Sequence, residues 1–325
     1  MAFSPVIQTL CAELLQQVRD QHVPAGTVYV QRKNGNAFLY FKRMVGRQRV
    51  DEYIGPATDP TALERANAIR FQQVLTRQRR KIVSALRRAG VPAPVTALAR
   101  VLDAMSDAGL FAQGVLVGTA AYQCYAPLIG AALPAAAMMT QDADLATASL
   151  ALAASDGTSS MLDILHRADP SFREIAGLSA KAPPASFRSS DGFRVDLLTP
   201  LLRREDSNPM PLKKLAAGAT PLHHLKWLIH EPVVAVAVAG PGIRVQLPQP
   251  ARFAIHKLIV AQKRPAGDRI KRGKDLQQAR ALVGILREID PQPLGEALQS
   301  AFRQGKEGWK APIQASLAEL ELRLP

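Results

Sequence analysis

The segment TQDADLA, Thr140 to Ala146, sets Asp142 and Asp144 one residue apart among small apolar residues. In a strand, side chains alternate between faces, so both carboxylates take one face while Ala143 and Leu145 take the other, towards a core. Two like charges on one half-buried face repel each other, and a cation between them relieves the cost. A third carboxylate is available downstream in FRVDLL, where Asp196 sits between Val195 and Leu197 in apolar alternation. Its neighbour Asp191 precedes Gly192 and has turn chemistry instead. Upstream, GVLVG reads as a buried strand that ends at Gly118 and runs through Thr119 into a helix.

Other residues compete for chemical roles. Lys257 lies on an otherwise apolar helix face with Phe253, Leu258 and Val260, where phosphate binding and simple snorkelling are both open. Lys263, Arg264, Lys271, Arg272 and Lys274 form a charge run that suits a solvated face or a nucleotide tail. His223, His224 and His230 have helical spacing but no evident fourth ligand, and read as surface residues. Asp156 and Asp163 read as surface or capping residues, and Trp227 and Trp309 as packing residues.

The elements that must position these groups divide the chain into three parts. Residues 1–91 read as a short helix, a three-stranded meander and a long helix. Asn34-Gly35 is the first turn of the meander, Gly46 marks the second, and Tyr29, Phe38, Tyr40 and Phe41 supply strand formers. The long helix has Pro60 at its first turn, a capping box expected at Thr61 and Glu64, and Gly90 at its end. Residues 92–248 read as an α+β core, a mixed sheet with helices, and residues 249–325 as a helical segment completing the cleft.

Charge is uneven. The net charge of the 325 residues is +14, but residues 1–100 hold 16 Lys/Arg against 6 Asp/Glu. TRQRRKIVSALRR alone carries six positive charges and no acid. A basic N-terminal module with strand aromatics suggests a polyanionic partner, nucleic acid first, through residues 27–88; a solubilising surface is the alternative. Two distant cysteines, Cys11 and Cys124, fit a reduced cytoplasmic protein rather than a disulfide framework. Neither a signal peptide nor a long apolar run is evident, so no membrane partner is expected.

The order strand, glycine with a small hydroxyl residue, helix, DxD strand, third strand aspartate resembles the DNA polymerase β-like nucleotidyltransferase superfamily. The strings LVGTAAYQCY, TQDADL, FRVDLLTP and ARFAIHKLIVAQKR with KRGKDLQQA are similar to prokaryotic nucleotidyltransferase-fold proteins related to abortive-infection toxins of toxin–antitoxin systems. The resemblance implies a bacterial Mg²⁺-dependent transferase that moves a nucleoside monophosphate from an NTP such as ATP to an acceptor hydroxyl, with RNA or tRNA favoured. Asp142, Asp144 and Asp196 are then the catalytic residues and the ligands of two Mg²⁺ ions, which such sites hold about 3.5–4 Å apart. Gly118 and Thr119 hold phosphates, with Lys257, Arg264 and Lys274 as further nucleotide-binding residues. A protein antitoxin is an implied partner. Gly118 and Asp142 stand 24 positions apart, longer than the superfamily's usual gap, and Thr140 alone represents the residue that often flanks DxD. Two other readings are a nucleic-acid-binding protein on an inactive scaffold, and an enzyme that attaches a nucleotide to a protein side chain.

Overall fold

The structure, a computed structural model, describes residues 2–19, 26–45, 48–134, 142–147, 159–177, 182–201 and 208–324; residues 44, 45, 48 and 142–147 are described by backbone alone. Gly46, Thr140 and Asp156 lie outside the described residues.

Helix α1 (Pro5–Arg19) precedes the antiparallel meander β1 (Thr27–Lys33), β2 (Asn36–Val45) and β3 (Gln48–Pro56). Asn34 and Gly35 take φ of 51° and 79°, the left-handed pair that a two-residue hairpin turn requires. Leu39 is buried on one face of this sheet with Ala62 and Ala66 of α2 (Pro60–Arg88). The cap of α2 is not the expected Thr61/Glu64 box. Asp59 is the N-cap, and its carboxylate accepts from the Thr61 N–H at 3.0 Å. Pro60 explains the shift: proline suits the first helical position and pushes the residue before it into extended backbone, which is the N-cap conformation.

The basic run on α2 is also not uniform. Arg79 is 0 % exposed, and its guanidinium donates to the carbonyls of Pro241 (3.1 Å) and Gln17 (3.3 Å) and to the Thr76 hydroxyl (3.3 Å). Burial lowers its pKa from the usual arginine value. One of the six charges is thus an internal brace, while Arg77, Arg80, Lys81, Arg87 and Arg88 are exposed.

The rest of the chain runs through α3 (Thr96–Asp107), β4 (Gly114–Val117), α4 (Gly118–Gln123), α5 (Tyr125–Ile129), β5 (Asp142–Thr147), α6 (Met161–Ala168), β6 (Arg173–Glu174), β7 (Ser186–Arg188), β8 (Arg194–Pro200), β9 (Met210–Leu212), β10 (Ala217–Leu222) and α7 (Leu225–Leu228). The hairpin β11 (Val233–Ala237) and β12 (Ile243–Leu247) follows, then helices α8 (Pro250–Lys263), α9 (Arg269–Ile289), α10 (Gln292–Phe302) and α11 (Ala311–Glu319). The fold is α+β. Its seven-stranded mixed sheet has the order β4-β5-β8-β10-β9, with β7 also beside β8 and β6 beside β7. β8 is parallel to β5 and β10; β4 is antiparallel to β5.

The C-terminal helices complete this core. Phe253 and Leu258 of α8 and Leu282 of α9 belong to the same buried cluster as Leu116, Val195 and Leu197 of the sheet and Leu102 of α3. Each such side chain contributes about 1.5–3 kcal/mol by leaving water. A second cluster joins Cys11, Leu14 and Val18 of α1 to Ile82, Val83 and Leu86 of α2 and Val236 of β11. Among the described residues, no helix is long and apolar enough to cross a membrane.

Candidate active site

The chain leaves β4 at Val117 and turns directly into α4. Gly118 makes that corner with φ of 67°, a conformation that L side chains rarely adopt. The register across the sheet then aligns the residues singled out by type. Val117 is opposite Asp144, Asp144 is opposite Asp196, and Asp196 is opposite Ser186. With strands about 4.8 Å apart, β4, β5 and β8 bring the glycine corner and two of the three aspartates into one row. Asp142 lies opposite Arg194.

Asp196 takes its place by alternation along β8. Val195, Leu197 and Thr199 are buried, while Arg194, Asp196 and Leu198 are more accessible. Its side chain is 18 % exposed, and Arg194 Nε donates to Oδ1 at 2.8 Å. The Ser186 hydroxyl donates to the same oxygen in a short hydrogen bond, and Arg194 Nη2 donates to Ser186 Oγ at 3.1 Å. The other oxygen, Oδ2, accepts no hydrogen bond among the described residues. Holding a carboxylate by one oxygen fixes the direction of the second. Ser186 and Arg194 were not singled out from the sequence. Arg194 carried a signal, since it stands two residues before Asp196 on the same strand face.

Thr119 is buried, and its hydroxyl oxygen accepts from Gln278 Nε2 at 3.3 Å. An oxygen used as acceptor leaves its O–H to donate. Gln278 sits on α9, three residues after Asp275, which places the two about one turn apart on one side of the helix. Asp275 is where the two cations go: Lys257 Nζ binds Oδ1 at 2.6 Å and Arg264 Nε binds Oδ2 at 2.9 Å. Lys257 therefore neither snorkels to water nor stands alone, and Asp275, the aspartate of KRGKDLQQA, is the residue that holds it. Two cations on one carboxylate leave the cluster positive, one helical turn from the Thr119 contact. Lys274 precedes Asp275 and has an interaction of its own.

The three histidines divide. His223 and His230 are exposed, as expected, but His224 is half-buried. Its ring packs edge-on against Trp309 at 4.4 Å, and its Nε2 meets Lys263 Nζ at 2.8 Å. Burial first, then the Lys263 charge, lowers its pKa to about 4. His256, beside Lys257, is lowered to about 3 by burial and then by that lysine. Both rings are neutral at ordinary pH. Trp227 and Trp309 pack edge to face at 5.4 Å, which is the structural role expected of them. Asp163 caps α6 in a reciprocal box with Ser160. Among the residues whose side chains are described, which leave out Asp142 and Asp144, no three His, Cys, Asp or Glu side chains gather at one point.

A family model described as Nucleotidyltransferase matches residues 96–303. The chain belongs to this nucleotidyltransferase family. The matched span of the nucleotidyltransferase runs from the start of α3 to the end of α10. It contains the glycine corner, the aspartate row and the Lys257–Asp275–Arg264 cluster, and leaves the meander and α2 outside. No curated protein and no solved structure matches the chain.

Proposed function

We propose that this nucleotidyltransferase moves a nucleoside monophosphate from an NTP to a hydroxyl of RNA, releasing pyrophosphate. The observation that carries the reading is the cross-strand row of Val117, Asp144 and Asp196 beside the Gly118 corner. Residues opposed in register share one side of the pleat, so the row brings aspartate positions from distant parts of the chain beside one another.

The donor set suits Mg²⁺, which takes hard oxygen ligands. The second oxygen of Asp196, which is partly exposed and accepts no hydrogen bond among the described residues, fits such a role. Asp142, Asp144 and Asp196 are the residues that would hold the metal. When bound, it supplies charge stabilisation for the attacking and leaving oxygens.

The chain's own groups do the rest. Gly118 lets the triphosphate approach the backbone, and Thr119 donates its O–H to a phosphate oxygen. The Lys257–Arg264 pair, held by Asp275, and Lys274 supply positive charge towards the phosphates. Ser186 and Arg194 hold Asp196 in its orientation. The acceptor hydroxyl oxygen attacks the α-phosphorus, the bond from that phosphorus to the bridging oxygen breaks, and Asp196 takes the hydroxyl proton. The basic residues 27–88 favour RNA as the acceptor, and a toxin or defence role is what the resemblance to abortive-infection proteins suggests.

The test is incubation with each labelled NTP, Mg²⁺ and total RNA, with Asp142→Asn/Asp144→Asn as control. Label in RNA that disappears in the control supports the proposal. Label in protein instead assigns a protein acceptor. Tight RNA binding without transfer, under every NTP and metal tried, points to an inactive scaffold.

A further inference from the structure

The meander outside the catalytic span carries a feature that nucleotidyl transfer does not explain. The β1–β2 register puts Tyr29 opposite Tyr40 and Gln31 opposite Phe38, and the β2–β3 register puts Tyr40 opposite Tyr53. All four rings therefore share one face. Tyr29 and Tyr40 stack at 5.6 Å with planes 20° apart. Tyr53 meets Tyr40 edge-on at 5.4 Å and Phe38 at 6.2 Å. The opposite face, through Leu39, Val28 and Ile54, packs on Ala62 and Ala66 of α2. The sheet thus has its core without the aromatic side, and Tyr53 remains 53 % exposed.

Charge separates this face from an ordinary apolar patch. By strand alternation and register, Lys33, Lys42 and Arg49 lie on the aromatic side. The acid in that set, Asp51, is paired with Arg49 at 2.8 Å. Between residues 27 and 56 there are six Lys/Arg and two Asp/Glu. A protein partner suited to exposed rings would not call for a cationic border of this kind. A single-stranded polynucleotide needs both features, because its unpaired bases stack on rings while its phosphates seek cations. Exposed Thr27 and Gln31 on the same face add hydrogen-bonding groups suited to ribose hydroxyls.

We propose that the Tyr29–Phe38–Tyr40–Tyr53 face is a base-stacking platform that holds single-stranded RNA. The choice of RNA rests on the acceptor proposed above; the stacking chemistry does not.

The experiment measures binding to the full chain by fluorescence anisotropy, without NTP or Mg²⁺, so it can succeed or fail independently of transfer. The probes are a labelled 12-nucleotide RNA of mixed sequence, its duplex and the DNA strand of the same sequence. The single-stranded RNA is expected to bind best. Tyr53→Ala, an exposed position whose loss leaves α2 packing intact, is expected to weaken it about 5- to 150-fold, the range for one stacked base. Tyr53→Phe is expected to bind within about twofold of the parent, because the ring is kept. Lys42→Gln is expected to reduce the salt dependence by about 0.7 in log–log slope, one phosphate contact on a single strand. Equal binding of the duplex, or full binding by Tyr53→Ala, would overturn the platform. Equal binding of the DNA strand would overturn the assignment to RNA.

Discussion

Removing the Asp275 carboxylate tests the cation cluster most directly. Asp275→Asn keeps the side-chain size but leaves Lys257, with its side chain 8 % exposed, facing a neutral amide. At 2.6 Å and an effective dielectric constant of about 20, the Lys257–Asp275 attraction alone is about 6 kcal/mol before desolvation is counted. Breaking a buried pair by removing one partner costs about 3–5 kcal/mol, because the other charge stays buried. At about 2 °C per kcal/mol for a chain of this size, the midpoint of thermal unfolding should fall by roughly 6–10 °C. The drop should change little between low and high salt, since buried pairs are weakly screened. Lys257→Met should cost less, because Arg264 still pairs with Asp275 at 2.9 Å. Lys257→Met/Asp275→Leu should be less destabilised than the sum of Lys257→Met and Asp275→Leu by about 2 kcal/mol, as expected for residues in direct contact. Calorimetry with this cycle gives the answer. An Asp275→Asn protein that unfolds within 1 °C of the parent, or strictly additive single changes, would show that Asp275 does not hold Lys257.

Three further outcomes follow from the same geometry. Asp196→Asn should lower kcat for nucleotidyl transfer by about 10²–10³-fold, the scale of losing one preorganised charge-stabilising group, with the unfolding midpoint little changed; retained activity in a radiolabel assay would remove Asp196 from the reaction. Arg79→Met should destabilise the fold by about 2–5 kcal/mol, since it strands part-buried carbonyls of Gln17 and Pro241, and urea titration should register that loss. Stability should also fall with acid in a defined window. His224 and His256 have folded pKa values near 4 and 3, below the ordinary 6.5, so the unfolded chain binds their protons first. Their contribution is intact above pH 6.5 and is lost progressively as pH falls to about 3, each ring contributing a few kcal/mol at about 1.4 kcal/mol per unit. In denaturant titrations the His256→Gln protein should lose less stability than the parent across that window; an unchanged profile would place His256 outside it.

What was legible in the sequence was local. Asn34-Gly35 could only be a left-handed turn, and Pro60 marked the first turn of a helix. The glycine at 118 between an apolar strand and an apolar helix marked a corner, and FRVDLL fixed which face Asp196 takes. These signals depend on backbone preference and on the two periodicities of side-chain direction, which neighbouring residues suffice to reveal. The Thr61 box failed on the same ground, since Asp59 and Thr61 are both good caps and only the extended backbone before Pro60 chooses between them.

Partnerships at long range were invisible. Arg79 reads as one more cation in a basic run until α1 and the β11–β12 turn close over it. Lys257 reads as a lone lysine on an apolar stripe until α9 folds back and offers Asp275. His224 reads as surface until Trp309, far along the chain, covers its ring. In each case the sequence supplies the charge or the hydrogen-bonding group, but burial and partner are set by which helix packs over it. The chemistry proposed for the site rests on residue types and alternation, whereas its electrostatics were decided by tertiary packing, because the free energy of a charge depends on what surrounds it rather than on what precedes it.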